Sequence, residues 1–208
     1  MRPLSGCRLY GILDTSYTPP ERMSEMAREL ILGGVEILQL RAKHASSTLI
    51  LKMAATILPV CREAGVPFLL NDHPELVPES GADGAHVGQD DMTVEEARRL
   101  AGPGALIGRS THSLEQAFAT AAEYPDYIGF GPLFSTPTKP DYTAVGTETV
   151  GEVLRGVALP VFCIGGIKES NLKKVVAAGA DRVAIVSELL LADDPRAKAS
   201  ACRSLLPD

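Results

Sequence analysis

Two apolar runs in the segment FLLNDHPELVPESGADGAHVGQDD (68–91) each end in acid: Leu69-Leu70 stops at Asn71-Asp72, and Ala85-His86-Val87 stops at Gln89-Asp90-Asp91. Carboxylates placed just past buried runs can cap helices or close turns. They can also hold a hard cation such as Mg²⁺, which takes one or two protein carboxylates and completes its shell with water and substrate phosphates. At this stage both uses stay open for Asp72, Asp90 and Asp91. Zinc chemistry is not indicated, because His44, His73, His86 and His112 form no His-x-x-x-His or Cys/His pattern. Cations end other runs. Arg41 and Lys43 lie two apart, so in extended chain they share a face, and Lys139 closes a long loop. Cations beside acids suit a diphosphate chelated to Mg²⁺. Gly165-Gly166 and Ser187 supply a second anion-binding signal, since glycines let backbone N–H groups approach a phosphate.

These groups need a scaffold that brings them to one place. Short apolar runs recur at 8–13, 35–40, 67–70, 84–87, 105–107, 127–130, 161–164 and 183–186. Helically spaced stretches separate them, several opened by start signals: Thr18-Pro19-Pro20-Glu21, Thr93-Val94-Glu95-Glu96 and Ser113-Leu114-Glu115-Gln116. One strand per about 26 residues is right for a βα unit. A degenerate repeat, GVEILQL (34–40), GADGAHV (81–87), PDYIGF (125–130) and GADRVAI (179–185), marks alternate units with Glu36, Asp83, Asp126 and Asp181. The pattern predicts an α/β fold, a single-domain (β/α)₈ TIM barrel over 1–208 with its core at about 8–190. A doubly wound sheet fits less well, because no Gly-x-Gly-x-x-Gly comes after the first strand. In such a barrel the strand ends carry the function. The segments just past the strands are polar or glycine-rich here: Gln39 to Lys43, Asn71-Asp72, Gly108 to His112, Gly131 to Pro140, Gly165-Gly166 and Ser187.

Composition narrows the class. With 208 residues, 45% apolar, 22% charged and a net charge of −6 without a Lys/Arg cluster, nothing points to nucleic acid or an anionic membrane. No apolar run approaches a membrane span. Cys7, Cys61, Cys163 and Cys202 form no Cys-x-x-Cys and read as reduced core residues, so the expected location is cytoplasmic. Leu4-Ser5-Gly6-Cys7 has the look of a lipoprotein cleavage box but lacks an apolar region before it, and is not expected to act as one. The stretch 103–110 imitates a nucleotide P-loop, yet Pro103 and Arg109 stand where glycine and lysine are needed.

Taken in order, Gln39-x-Arg41-x-Lys43, Asn71-Asp72, His86-x-Gly88-Gln89-x-Asp91, Gly108-x-Ser110, Gly129-x-Gly131-Pro132 with Thr136-x-Thr138-Lys139, Ile164-Gly165-Gly166-Ile167 and Val186-Ser187 resemble thiamine-phosphate synthase from about residue 9 to 188. The resemblance implies a Mg²⁺-dependent transferase. It would join an aminopyrimidinylmethyl diphosphate to a thiazole phosphate, releasing diphosphate. By position, Asp72 and Asp91 would hold Mg²⁺. Gln39, Arg41, Lys43, Asn71, Ser110 and Lys139 would contact the pyrimidine diphosphate, with Arg41, Lys43, Ser110 and Lys139 catalytic. Thr136, Thr138, Gly166, Val186 and Ser187 would hold the thiazole phosphate. The implied partners are these two small molecules, with homo-oligomerisation left open. Gly108-Arg109-Ser110-Thr111-His112-Ser113 also resembles thiazole tautomerase, a sister family in which a histidine at this place is associated with proton transfer. A non-catalytic thiazole-phosphate-binding regulator on the same fold is the third reading.

Overall fold

The computed structural model describes residues 3–136 and 143–207. Eight strands, β1 (Leu9–Asp14), β2 (Ile37–Arg41), β3 (Phe68–Asn71), β4 (Gly84–Val87), β5 (Leu106–Thr111), β6 (Tyr127–Phe130), β7 (Val161–Ile164) and β8 (Val183–Ile185), coincide with the eight apolar runs. All pair in parallel and in chain order, and β8 closes on β1 through Leu9↔Val183, giving the expected closed barrel. The helices are α1 (Met23–Leu32), α2 (Ser47–Ala64), α3 (Val77–Ser80), α4 (Val94–Ala101), α5 (Leu114–Ala121), α6 (Val150–Gly156), α7 (Glu169–Ala177), α8 (Ser187–Leu190) and α9 (Pro195–Ser204).

The period-two alternation of the strands builds two cores. Leu9, Leu38, Phe68, Leu70, Ile107, Ile128 and Val183 join the layer between strands and helices. Their neighbours Tyr10, Ile37, Leu69, Tyr127, Phe162 and Ala184 form a separate cluster inside the barrel. Gly108 makes room for that inner cluster: a Cβ there would lie 2.0 Å from the Tyr127 ring.

Of the three helix-start signals, one forms in full and one in part. Thr93 and Glu96 make a reciprocal capping box for α4. Ser113 caps α5 through the Gln116 N–H, while the Gln116 side chain accepts from the His112 N–H instead of closing a box. Thr18 does not cap. Pro19 and Pro20 lead into a 3₁₀ turn, Pro20–Arg22, before α1 begins at Met23, and no side chain caps that turn.

The repeat read from the sequence has a structural cause at the amino-terminal rim. The Glu36 N–H donates to the Leu9 carbonyl while its carboxylate accepts from the Leu9 N–H. Asp83 makes the same two-way clasp on Phe68, and Asp126 on Ile107. Each of these acids, just ahead of an even strand, thus satisfies an N–H at the start of the odd strand before it. Asp181 instead pairs with Arg8 and Arg182. Two residues before each acid the chain turns through positive φ: Gly34 at 98°, Gly81 at 70°, Tyr124 at 57° and Gly179 at 104°. Three of these are glycine; the fourth is an 80%-exposed tyrosine held where side chains fit poorly.

Candidate active site

A cavity of about 160 Å³ opens at the carboxyl ends of the strands. Of the residues singled out from the sequence, Gln39, Arg41, Asn71, Ser110, Thr136, Gly166, Val186 and Ser187 line it. Lys43 is exposed, Asp72 half-buried and Asp91 exposed, all three outside the cavity lining. Thr138 and Lys139 lie outside the described residues.

On the β2 and β3 side the site is charged. The Arg41 guanidinium lies 2.5 Å from Asp14 Oδ2, and Asp14 is 1% exposed. The other Asp14 oxygen accepts from the Ser16 N–H at 2.8 Å. Burying that carboxylate is tolerable only because both oxygens are bonded and a cation faces it. Asp14 therefore fixes Arg41 at the cavity wall. Sequence reading missed Asp14, because an acid after the first strand looks like any turn former.

Asp72 takes a left-handed backbone, φ 62°, and its N–H donates to the His86 carbonyl at 2.9 Å, extending the β3–β4 ladder by one bond. Asp91 closes the turn after β4: its Oδ2 accepts from the Gly88 N–H at 2.6 Å. A Cβ at Gly88 would lie 2.7 Å from that same oxygen, so only glycine leaves the carboxylate its place. The two acids thus rise from neighbouring strand ends. No group of three His, Cys, Asp or Glu side chains suited to a metal occurs among the described residues. A pair of hard carboxylates, with ligand phosphate completing the shell, is the donor set that Mg²⁺ takes and zinc does not. The residues present fit such a cation.

The floor of the cavity is aromatic. Tyr10, Tyr127 and Phe162 meet edge to face with ring centroids 5.4–5.9 Å apart. Burial pushes the Tyr10 and Tyr127 phenols well above the usual range, so both stay protonated. A chain of hydrogen bonds crosses this floor. Gln39 Nε2 donates to Tyr10 Oη, Tyr10 Oη meets Tyr127 Oη at 2.9 Å, Tyr127 Oη meets His86 Nδ1 at 2.9 Å, and His86 Nε2 meets Ser110 Oγ at 2.9 Å. Of its members, sequence reasoning assigned site roles only to Gln39 and Ser110. The others lie on strands far apart in sequence: Tyr10 and Tyr127 fall in apolar runs, and His86 stands in a motif without a role of its own.

On the β6 to β8 side, loops and glycines form the wall. Gly165 and Gly166 have φ of 95° and 63°. A Cβ on Gly166 would lie 2.7 Å from the Ser135 carbonyl oxygen, so the loop after β7 packs directly on the loop after β6. The Phe134 N–H donates to the Gly165 carbonyl, and the Asn171 side chain donates to the Gly166 carbonyl, pinning the turn. Val186 and Ser187 stand where β8 turns into the short helix α8. His112 lines the cavity between these halves, its Nδ1 bonded to the Gly131 carbonyl oxygen.

The arrangement has counterparts. A family profile described as thiamine monophosphate synthase matches residues 9–189. A thiamine-phosphate synthase of Shouchella clausii is 40% identical over 195 residues, 93% of each chain. One of Chloroflexus aurantiacus is 39% identical over 200 residues, 96% of this chain and 92% of that one. The solved thiamine phosphate pyrophosphorylase of Pyrococcus furiosus superposes with a TM-score of 0.90 at 30% identity, covering 98% of this chain and 97% of its own. The barrel, the site at its carboxyl rim and these likenesses agree: the chain belongs to the thiamine monophosphate synthase family and, with it, to the transferases of thiamine biosynthesis.

Proposed function

We propose that this site couples an aminopyrimidinylmethyl diphosphate with a thiazole phosphate, giving thiamine phosphate and diphosphate. The observation that carries the reading is the division of one cavity into a charged side built on the Asp14–Arg41 ion pair, an aromatic floor, and a wall of glycine turns. The diphosphate is assigned to Arg41, Lys43 and Asn71, and to Lys139, which follows β6 in sequence. The thiazole phosphate lies toward Gly166, Val186 and Ser187, with Thr136 and Thr138; barrel enzymes often hold a phosphate after strands seven and eight.

The chemistry asks little covalent work of the protein. As diphosphate leaves, the pyrimidine ring stabilises the methylene cation left behind, and the thiazole nitrogen attacks it. Arg41, Lys43 and Lys139 stabilise the charge growing on the leaving group, and Asp14 keeps Arg41 oriented so that no reorganisation is needed at that moment. Tyr10, Tyr127 and Phe162 keep water from a cation that water would quench. Asp72 and Asp91 are the residues that would hold Mg²⁺, which supplies further charge neutralisation on the diphosphate. No protein nucleophile is required.

The test is diphosphate release and thiamine phosphate formation by purified protein given both substrates and Mg²⁺. Both products are expected in equal amounts. No release, with thiazole phosphate still binding, would overturn the coupling reaction. One observation favours a second reading. A carbonyl oxygen can only accept, so His112 carries its proton on Nδ1 and keeps Nε2 as the basic nitrogen of a cavity-lining ring. Isomerisation of a thiazole substrate that is lost in His112→Ala would support a tautomerase instead.

A further inference from the structure

Five side chains form one continuous line through the barrel, Gln39–Tyr10–Tyr127–His86–Ser110, linking β2 to β5 across the cavity floor. Valence sets the direction of its protons. Gln39 Nε2 can only donate, so Tyr10 Oη accepts there. Tyr10 has one proton, and its next neighbour is Tyr127 Oη, so Tyr10 donates to Tyr127. Tyr127 in turn donates to His86 Nδ1. A neutral imidazole that accepts at Nδ1 carries its proton on Nε2, which here faces Ser110 Oγ. Ser110 Oγ therefore accepts from His86, which leaves its own proton for another acceptor at the cavity that it lines. Because burial keeps both phenols protonated, each hydroxyl brings one proton, and reversing any link reverses the rest.

We propose that Tyr10, Tyr127 and His86 are positioning residues that transmit the donor sense of the Gln39 amide to Ser110, making the Ser110 hydroxyl an obligate donor to a substrate atom with a lone pair, such as a pyrimidine ring nitrogen. The substrate part of this rests on the coupling reaction proposed above; the proton order of the free protein does not. The relay also separates Ser110 from a serine nucleophile. A nucleophilic serine gives its proton to histidine, whereas here the histidine gives one to the serine.

The deciding experiment is a long-range proton–nitrogen spectrum of the full chain with labelled histidine and no substrate. The His86 signals are identified by their loss in His86→Gln. The relay requires the wild-type proton on Nε2 and a lone pair on Nδ1; a proton on Nδ1, or an averaged pair of shifts, overturns it. Tyr127→Phe removes the donor to Nδ1 and is expected to move both shifts toward a tautomer mixture, while unchanged shifts overturn the relay. Phe162→Leu disturbs the same ring cluster without touching a hydrogen bond and is expected to leave them in place. Equal movement in both variants would mean that packing sets the tautomer, and would sink the proposal. In turnover, Tyr127→Phe is expected to lower kcat/KM for the pyrimidine diphosphate roughly tenfold with KM for the thiazole phosphate unchanged; equal loss for both substrates contradicts positioning. A wild type that does not couple the substrates would remove the reaction, and the nitrogen shifts would still decide the relay.

Discussion

The two rims of the barrel both carry acids at strand ends, and they bond them differently. At the amino-terminal rim, Glu36, Asp83 and Asp126 each face a backbone N–H of the preceding strand and hold it from both sides. At the carboxyl rim, Asp72 and Asp91 come after their strands. Asp72 is bonded there through its own backbone N–H, and Asp91 spends one oxygen on the turn at Gly88. Three of the four acids that come before a strand finish a ladder. An acid after a strand sits where a parallel barrel gathers ligands. On the proposed reading, position relative to the strand, and not residue type, separates structure from chemistry.

The comparison can be broken first at the carboxyl rim. Asp72→Asn keeps a residue that tolerates φ of 62° and removes the charge. It is expected to lower diphosphate release by roughly a hundredfold or more, with the urea midpoint almost unmoved. The amino-terminal rim should give the reverse. Asp126→Ala loses the acceptor for the Ile107 N–H and the Arg98 pair, and urea unfolding should show a loss of about 2 kcal/mol with kcat/KM changed less than about twofold.

Asp14 sharpens the contrast, since it is a buried acid at the carboxyl rim that serves a neighbouring cation. Asp14→Asn should keep the bond from the Ser16 N–H but release Arg41. Steady-state kinetics are expected to show roughly a tenfold fall in kcat/KM for the pyrimidine diphosphate. Tyr124 offers a smaller effect. As the one non-glycine in its repeat position, it should yield to Tyr124→Gly with a gain of about 1 kcal/mol in urea unfolding. The wall between the rims has its own signature. Burial pushes the Cys61 and Cys163 thiols from 9.0 up to about 12. The unfolded chain therefore ionises first as pH rises. Their contribution is fully present below pH 9 and is lost between pH 9 and about 12, so the urea midpoint should decline over that window.

Much of this was legible before any coordinates. Eight apolar runs at βα spacing specified the barrel, and the alternate acids marked where every second strand begins. Lining residues such as Arg41, Asn71, Ser110 and Gly166 were legible because polar groups after strands have one rim to go to. Other features were hidden for physical reasons. Tyr10 and Tyr127 meet across the barrel from positions 117 residues apart, and in sequence each is an aromatic in an apolar run. His86 alternates with Ala85 and Val87, so its inward direction depends on register, which one strand does not reveal. Thr18 failed as a cap because two prolines in succession favoured a 3₁₀ entry that the capping pattern does not encode.

The central claim, that the carboxyl-rim acids serve a diphosphate-bound cation while the amino-terminal acids serve the backbone, is tested most directly by titrating Mg²⁺ against diphosphate release in wild type, Asp72→Asn and Asp126→Asn. The account predicts that Asp72→Asn needs at least roughly tenfold more Mg²⁺ for half-maximal rate, while Asp126→Asn tracks the wild-type curve. Three superimposable curves would contradict it.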